Sequence, residues 1–61
     1  MTIMTRHFFF HNEENGEDFI VGAEDLTDAR EIVEDIFGDD EVEFCYEMSE
    51  LEAEMSGLDE Y

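Results

Sequence analysis

Apolar and polar positions change their spacing several times along this chain, and each change marks an element. Residues Ile3 to His11 are rich in β-branched and aromatic side chains, and a second such run covers Phe19 to Ala23 after a polar stretch holding Asn15 and Gly16. Two extended runs on either side of an Asn-Gly pair predict a β-hairpin. A tight turn at Asn15 and Gly16 sets Phe10 opposite Val21 and Phe8 opposite Ala23, but it also sets Glu14 against Glu17. That like-charge pair keeps open a longer loop, from about Asn12 to Asp18.

The period then lengthens. Leu26, Ala29, Val33, Ile36 and Phe37 recur at helical spacing, with Asp25 in front as a candidate N-cap and Gly38 behind as a candidate stop. From Glu41 to Met48 the pattern alternates again, which predicts a third strand with Val42, Phe44, Tyr46 and Met48 inward and Glu41, Glu43 and Glu47 outward. Ser49 and Glu52 match a capping box, and Leu51, Met55 and Leu58 suit one side of a short terminal helix whose end is expected to fray.

These elements assemble as one α+β domain over residues 1–61 in the order β-β-α-β-α. The run Phe8-Phe9-Phe10 reads as a strand buried on both faces, which places it at the centre of a small three-stranded antiparallel sheet. One face takes the first helix. Phe9 and Ile20 point to the other, where the short terminal helix or a second copy of the chain must cover them, so a homodimer is one expectation.

Composition sharpens the picture. Twenty Asp and Glu stand against two Arg and no Lys, for a formal net charge of −18, yet 43% of the residues are apolar and six are Phe. Patterned aromatics at that density argue for a fold over disorder. A chain this short buries only about 60% of its unfolded surface, so its core is thin. A lone Cys45 offers no internal disulfide, and no stretch reads as a secretion signal or membrane span, which points to the cytoplasm.

Other chemistry finds little support. His7 and His11 lie about 13 Å apart on an extended strand, too far to share one ion. The stretches from Asn12 to Asp18 and from Asp39 to Glu41 offer oxygen ligands without EF-hand spacing, so no metal is expected. Paired carboxylates need a desolvated pocket to act as acid and base, Cys45 sits in a negative field that disfavours the thiolate, and no glycine-rich phosphate loop is present. Neither an enzyme nor a cofactor is expected.

The charge itself is the candidate chemistry. An acidic chain repels nucleic acid and anionic lipid and attracts basic proteins. On the first helix Asp28, Glu31 and Asp35 project from the apolar stripe with Glu24 and Glu34 at its borders, while Glu41, Glu43 and Glu47 form a row on the third strand. Alternate strand residues repeat every ~6.6 to 6.8 Å and helical turns every ~5.4 Å, so folded carboxylates approximate a phosphate row. A single-sign surface costs self-repulsion, which suggests that something is gained by it, although a salt-adapted surface would be acidic without any partner.

In length, in the β-β-α-β-α pattern, in lacking Lys and in outward carboxylates such as Glu31, Asp35, Glu43 and Glu47, the chain resembles a class of small acidic proteins. Bacteriophages and mobile elements use these anti-CRISPR and anti-restriction proteins to block host defence by mimicking DNA. The resemblance implies a cytoplasmic inhibitor that fills the Lys- and Arg-lined groove of an RNA-guided nuclease, a surveillance complex or a restriction enzyme. Asp28, Glu31, Glu34, Asp35, Glu41, Glu43 and Glu47 would form its partner surface. The alternative is an acidic adaptor or regulatory protein that binds a basic partner without imitating DNA.

Overall fold

A computed structural model describes residues 5–61. The elements are β1 (Arg6–Asn12), β2 (Glu17–Ala23), α1 (Leu26–Phe37), β3 (Val42–Met48) and α2 (Glu50–Ser56). The expected strand residues Ile3 and Met4 lie outside the described residues. The three strands form one antiparallel sheet in the order β2-β1-β3, with the Phe-rich β1 at its centre.

Alternation along β1 divides the core. Phe8 and Phe10 join Phe19, Val21 and Ala23 of β2 under Ala29 and Val33 of α1, with Leu26, Ile32, Phe37, Val42 and Phe44 packed around them. Phe9 turns to the opposite face, where Ile20, Met48, Ala53 of α2 and Leu58 meet. Ile20 is fully buried there, so the chain itself supplies the cover that a second subunit was one way to provide.

The hairpin register differs from the tight-turn expectation. Phe10 pairs with Phe19, Phe8 with Val21 and Asn12 with Glu17, leaving residues 13–16 as a four-residue loop that is also shorter than the Asn12 to Asp18 alternative. Asn12 is the reason. Its side chain is fully buried, accepting the Glu14 N–H at 2.8 Å and donating to Asp40 at 3.3 Å, while its carbonyl accepts the Gly16 N–H at 2.8 Å. Gly16 takes φ 74°, a left-handed conformation that favours glycine. A register moved by two residues keeps every side chain on its face, so the burial pattern holds while the partners change.

The first helix begins where Asp25 accepts the Asp28 N–H at 2.9 Å, and it stops at Gly38 with φ 64°. Ile36 departs from the expected stripe: it is 45% exposed, and Ile32 packs against the core in its neighbourhood of the helix.

In β3 the expected inward row breaks in two. Phe44 pairs with Phe10 but Tyr46 pairs with Phe9, so the ladder carries a bulge at Cys45. Val42 and Phe44 therefore share the α1 face, whereas Tyr46 and Met48 share the α2 face, where Tyr46 stacks on Phe9 at 5.0 Å.

Ser49 caps α2 as expected, accepting the Glu52 N–H at 3.2 Å. Leu51 and Met55 nevertheless face outward, at 64% and 77% exposed, and it is Ala53 that is buried. The expected fraying is not what the structure shows. Residues 59–61 run parallel to β2 along its outer edge, with Ile20 N–H to Asp59 O at 2.9 Å, Tyr61 N–H to Ile20 O at 2.8 Å and Gly22 N–H to Tyr61 O at 2.9 Å. The Tyr61 ring closes edge-on over Phe19 and Phe37, at 5.6 and 5.7 Å.

Candidate functional site

The sheet is unevenly covered. The first helix packs chiefly against β2, which leaves the α1-facing side of β3 open. Between the C-terminal half of α1 and β3 lies a groove of about 760 Å³ with Phe10, Val33, Val42 and Phe44 among its lining residues. Its apolar part comes from the half-buried Val42 and Phe44 of β3 beside Val33 of α1.

Carboxylates dominate the rest of that lining. Glu34 comes from α1, Asp40 and Glu41 from the segment leading into β3, Glu43 from β3 and Glu13 from the hairpin loop, with Arg30 the one cation among them. Two contacts hold the loops together: Glu13 N–H donates to Glu41 O at 2.8 Å, and the Asn12 amide reaches Asp40. Sequence spacing does not reveal Glu13 and Asp40 as neighbours of the β3 acids. The one clue is an amide residue, Asn12, at an otherwise apolar strand position.

The residues expected to form a partner surface divide into groups. Glu34 lies on the α1 side of the groove, while Glu41 and Glu43 border it from β3 with their side chains alternating to the other face. Glu31 and Asp35 are exposed on α1, one helical turn apart. Asp28 is half-buried in the first turn, where acidic side chains suit the helix N-terminus. Glu47 is separated from the others: the bulge turns it to the α1 face opposite Phe8, so the expected row of Glu41, Glu43 and Glu47 does not run along one side.

Glu47 is also occupied. Its two carboxylate oxygens accept from Arg6 Nε at 3.0 Å and Arg6 Nη2 at 2.6 Å, while the guanidinium lies 5.2 Å from the centre of the Phe8 ring. The paired hydrogen bonds, more than the charge, hold the Glu47 carboxyl below its ordinary range and raise the Arg6 guanidinium.

Both histidines are engaged separately. His7 Nδ1 lies 2.7 Å from Glu60 and His11 Nδ1 lies 2.6 Å from Asp18, and since a carboxylate only accepts, each Nδ1 carries the proton. The Cys45 thiol is exposed but held above its ordinary range, first by desolvation and then by the charges of Glu43 and Asp18. Among the described residues no group of three or more His, Cys, Asp and Glu is placed to hold a metal ion, and no helix is long and apolar enough to cross a membrane.

By contrast, the acids of α1 and the groove are unneutralised. Among the described residues Arg6 pairs with Glu47 while His7 and His11 hydrogen-bond Glu60 and Asp18, so Glu31, Glu34, Asp35, Glu41 and Glu43 have no such partner there. Such an array attracts cations over a Debye length, about 8 Å at physiological ionic strength, and focuses field where the groove walls are apolar. Comparisons of the chain with protein-family models, curated proteins and solved structures find no match, so the site's own geometry carries the functional reading.

Proposed function

We propose that this chain is a DNA-mimicking inhibitor that acts in the bacterial cytoplasm by filling the basic nucleic-acid-binding groove of a host-defence protein. The RNA-guided nuclease, surveillance complex and restriction enzyme are the target classes whose charge fits. The observation that carries this reading is the set of exposed carboxylates on α1 and around the groove that have no ion-pair partner among the described residues. Held on a folded scaffold, they meet lysine and arginine without first paying the entropy of ordering a flexible acidic chain. The reading requires no catalytic step and no cofactor, and opposite charges would speed encounter.

The apolar lining of the groove favours a second reading, an acidic adaptor that holds a basic protein unrelated to nucleic acid. One experiment separates the two. The tagged chain is used to isolate its partner from a bacterial lysate, and the partner's DNA binding is then titrated with the wild-type chain and with Glu31→Lys, Asp35→Lys, Glu41→Lys and Glu43→Lys. Mimicry predicts DNA release by the wild-type chain, a loss of about tenfold or more per reversal, and weaker inhibition as salt rises. A partner that keeps its DNA while holding the chain establishes the adaptor reading instead.

A further inference from the structure

The two outer edges of the sheet have different fates. The edge of β2 is covered in its C-terminal half by residues 59–61, which take up both outward backbone groups of Ile20 and the N–H of Gly22. The edge of β3 has no such cover: among the described residues, no backbone group outside the sheet bonds to the amides of Val42 to Met48.

Which groups of β3 are free follows from one bond. Because Glu13 N–H donates to Glu41 O, the hydrogen-bonded antiparallel pairs fall at Glu13 with Glu41 and at His11 with Glu43. Val42 and Phe44 then belong to the intervening pairs and direct their N–H and C=O groups outward. Their side chains lie on the α1 face and line the open groove. Exposed backbone and uncovered apolar surface thus coincide on the same two residues.

We infer that this edge and groove take an extended, Lys- and Arg-bearing segment of a partner protein, which pairs with Val42 and Phe44 and adds a fourth strand to the sheet. Every second side chain of such a segment would lie over Phe44 and Val42, and the cations between them would meet Glu41 and Glu43 on the other face of the edge. A second copy of the chain is the poorer occupant. Pairing two β3 edges brings two groups of groove carboxylates together, in molecules that each carry a net charge of −18. Edge charges guard natural sheets against self-pairing, and the same charges select a basic strand. The bulge at Cys45 limits the straight part of the edge to residues 41–44, so the docked stretch spans about four or five residues, roughly 14–17 Å.

The inference rests on the reading that the partner is basic, and its test is separate from that reading. Amide hydrogen exchange is followed by NMR on the whole chain, alone and with an eight-residue peptide alternating Lys with Val. The expected result is at least tenfold slower exchange at Val42 and Phe44, no change at Glu43, whose amide already faces β1, and loss of the effect at ~0.5 M salt. A peptide alternating Glu with Val should give none. Val42→Pro removes one outward N–H from an edge position without touching a bond to β1, and it should abolish protection at Phe44 while the circular dichroism stays native. Should that variant unfold, the exposed pair Glu41→Lys and Glu43→Lys serves instead, with protection by the Lys peptide falling at least tenfold. Unchanged exchange at both amides, protection confined to α1, or protection that depends on protein concentration without peptide overturns the inference, the last by showing self-pairing. If the chain strips DNA from its partner while these amides exchange freely, strand addition fails and inhibition stands.

Discussion

Glu47 shows how a single side chain leaves a surface that its position in the sequence assigns to it. Its strand neighbours alternate as a solvent-facing row should, but the extra residue at Cys45 turns it toward Phe8 and onto Arg6. Because this pairing lowers the folded carboxyl value, its stabilisation is complete above the unfolded pKa of Glu and is lost as pH falls through the lower folded value. Arg6→Ala is therefore expected to lower the melting temperature at neutral pH, with the difference from wild type closing in strong acid. A gap that persists unchanged on acidification would show that Arg6 acts through its stem over Phe8 and not through its charge.

At the scale of elements, the helix shows how much the chain announces in advance. A period of apolar residues, an aspartate in front and a glycine behind each point to the same limits, and α1 occupies Leu26–Phe37 between Asp25 and Gly38. Asp25→Ala leaves the Asp28 N–H without its acceptor and is expected to cost about 0.5–2 kcal/mol. A 61-residue domain holds only about 3–9 kcal/mol at the usual ~0.05–0.15 per residue. The urea midpoint should fall with the slope unchanged; an unchanged midpoint would show that water caps the helix equally well.

Other elements were legible only in part. The order of the strands and the central position of the triple Phe follow from burial on both faces, but the hairpin partners depend on Asn12, whose burial no propensity foretells. The bulge in β3 is silent because Val42, Phe44, Tyr46 and Met48 alternate without interruption, whichever face each one takes. Of the candidate site, the exposed acids of α1 were readable from spacing. Their meeting with Glu13 and Asp40 was not, because it depends on loops joined by tertiary hydrogen bonds.

For the whole molecule, charge and size act against each other. A net charge of −18 on a domain with a thin core is self-repelling at low ionic strength. Raising salt from ~0.01 to ~0.15 M shortens the Debye length from about 30 to 8 Å, so the melting temperature should climb. A gain of about 1 kcal/mol would read as roughly 4–8 °C. The chain should be folded throughout that range. If molar salt were needed before any cooperative transition appeared, the acidity would be an adaptation to brine, and the partner-binding reading would lose its ground.

The segment at residues 59–61 has one further effect, on polymerisation. A sheet open on both sides is a propagating unit, since each molecule added presents a fresh template for the next. Here residues 59–61 hold the outward amides of Ile20 and Gly22, so that stretch of one side offers no such template while the β3 side does. Growth by strand addition at Ile20 and Gly22 requires first that Tyr61 and its two predecessors be peeled away.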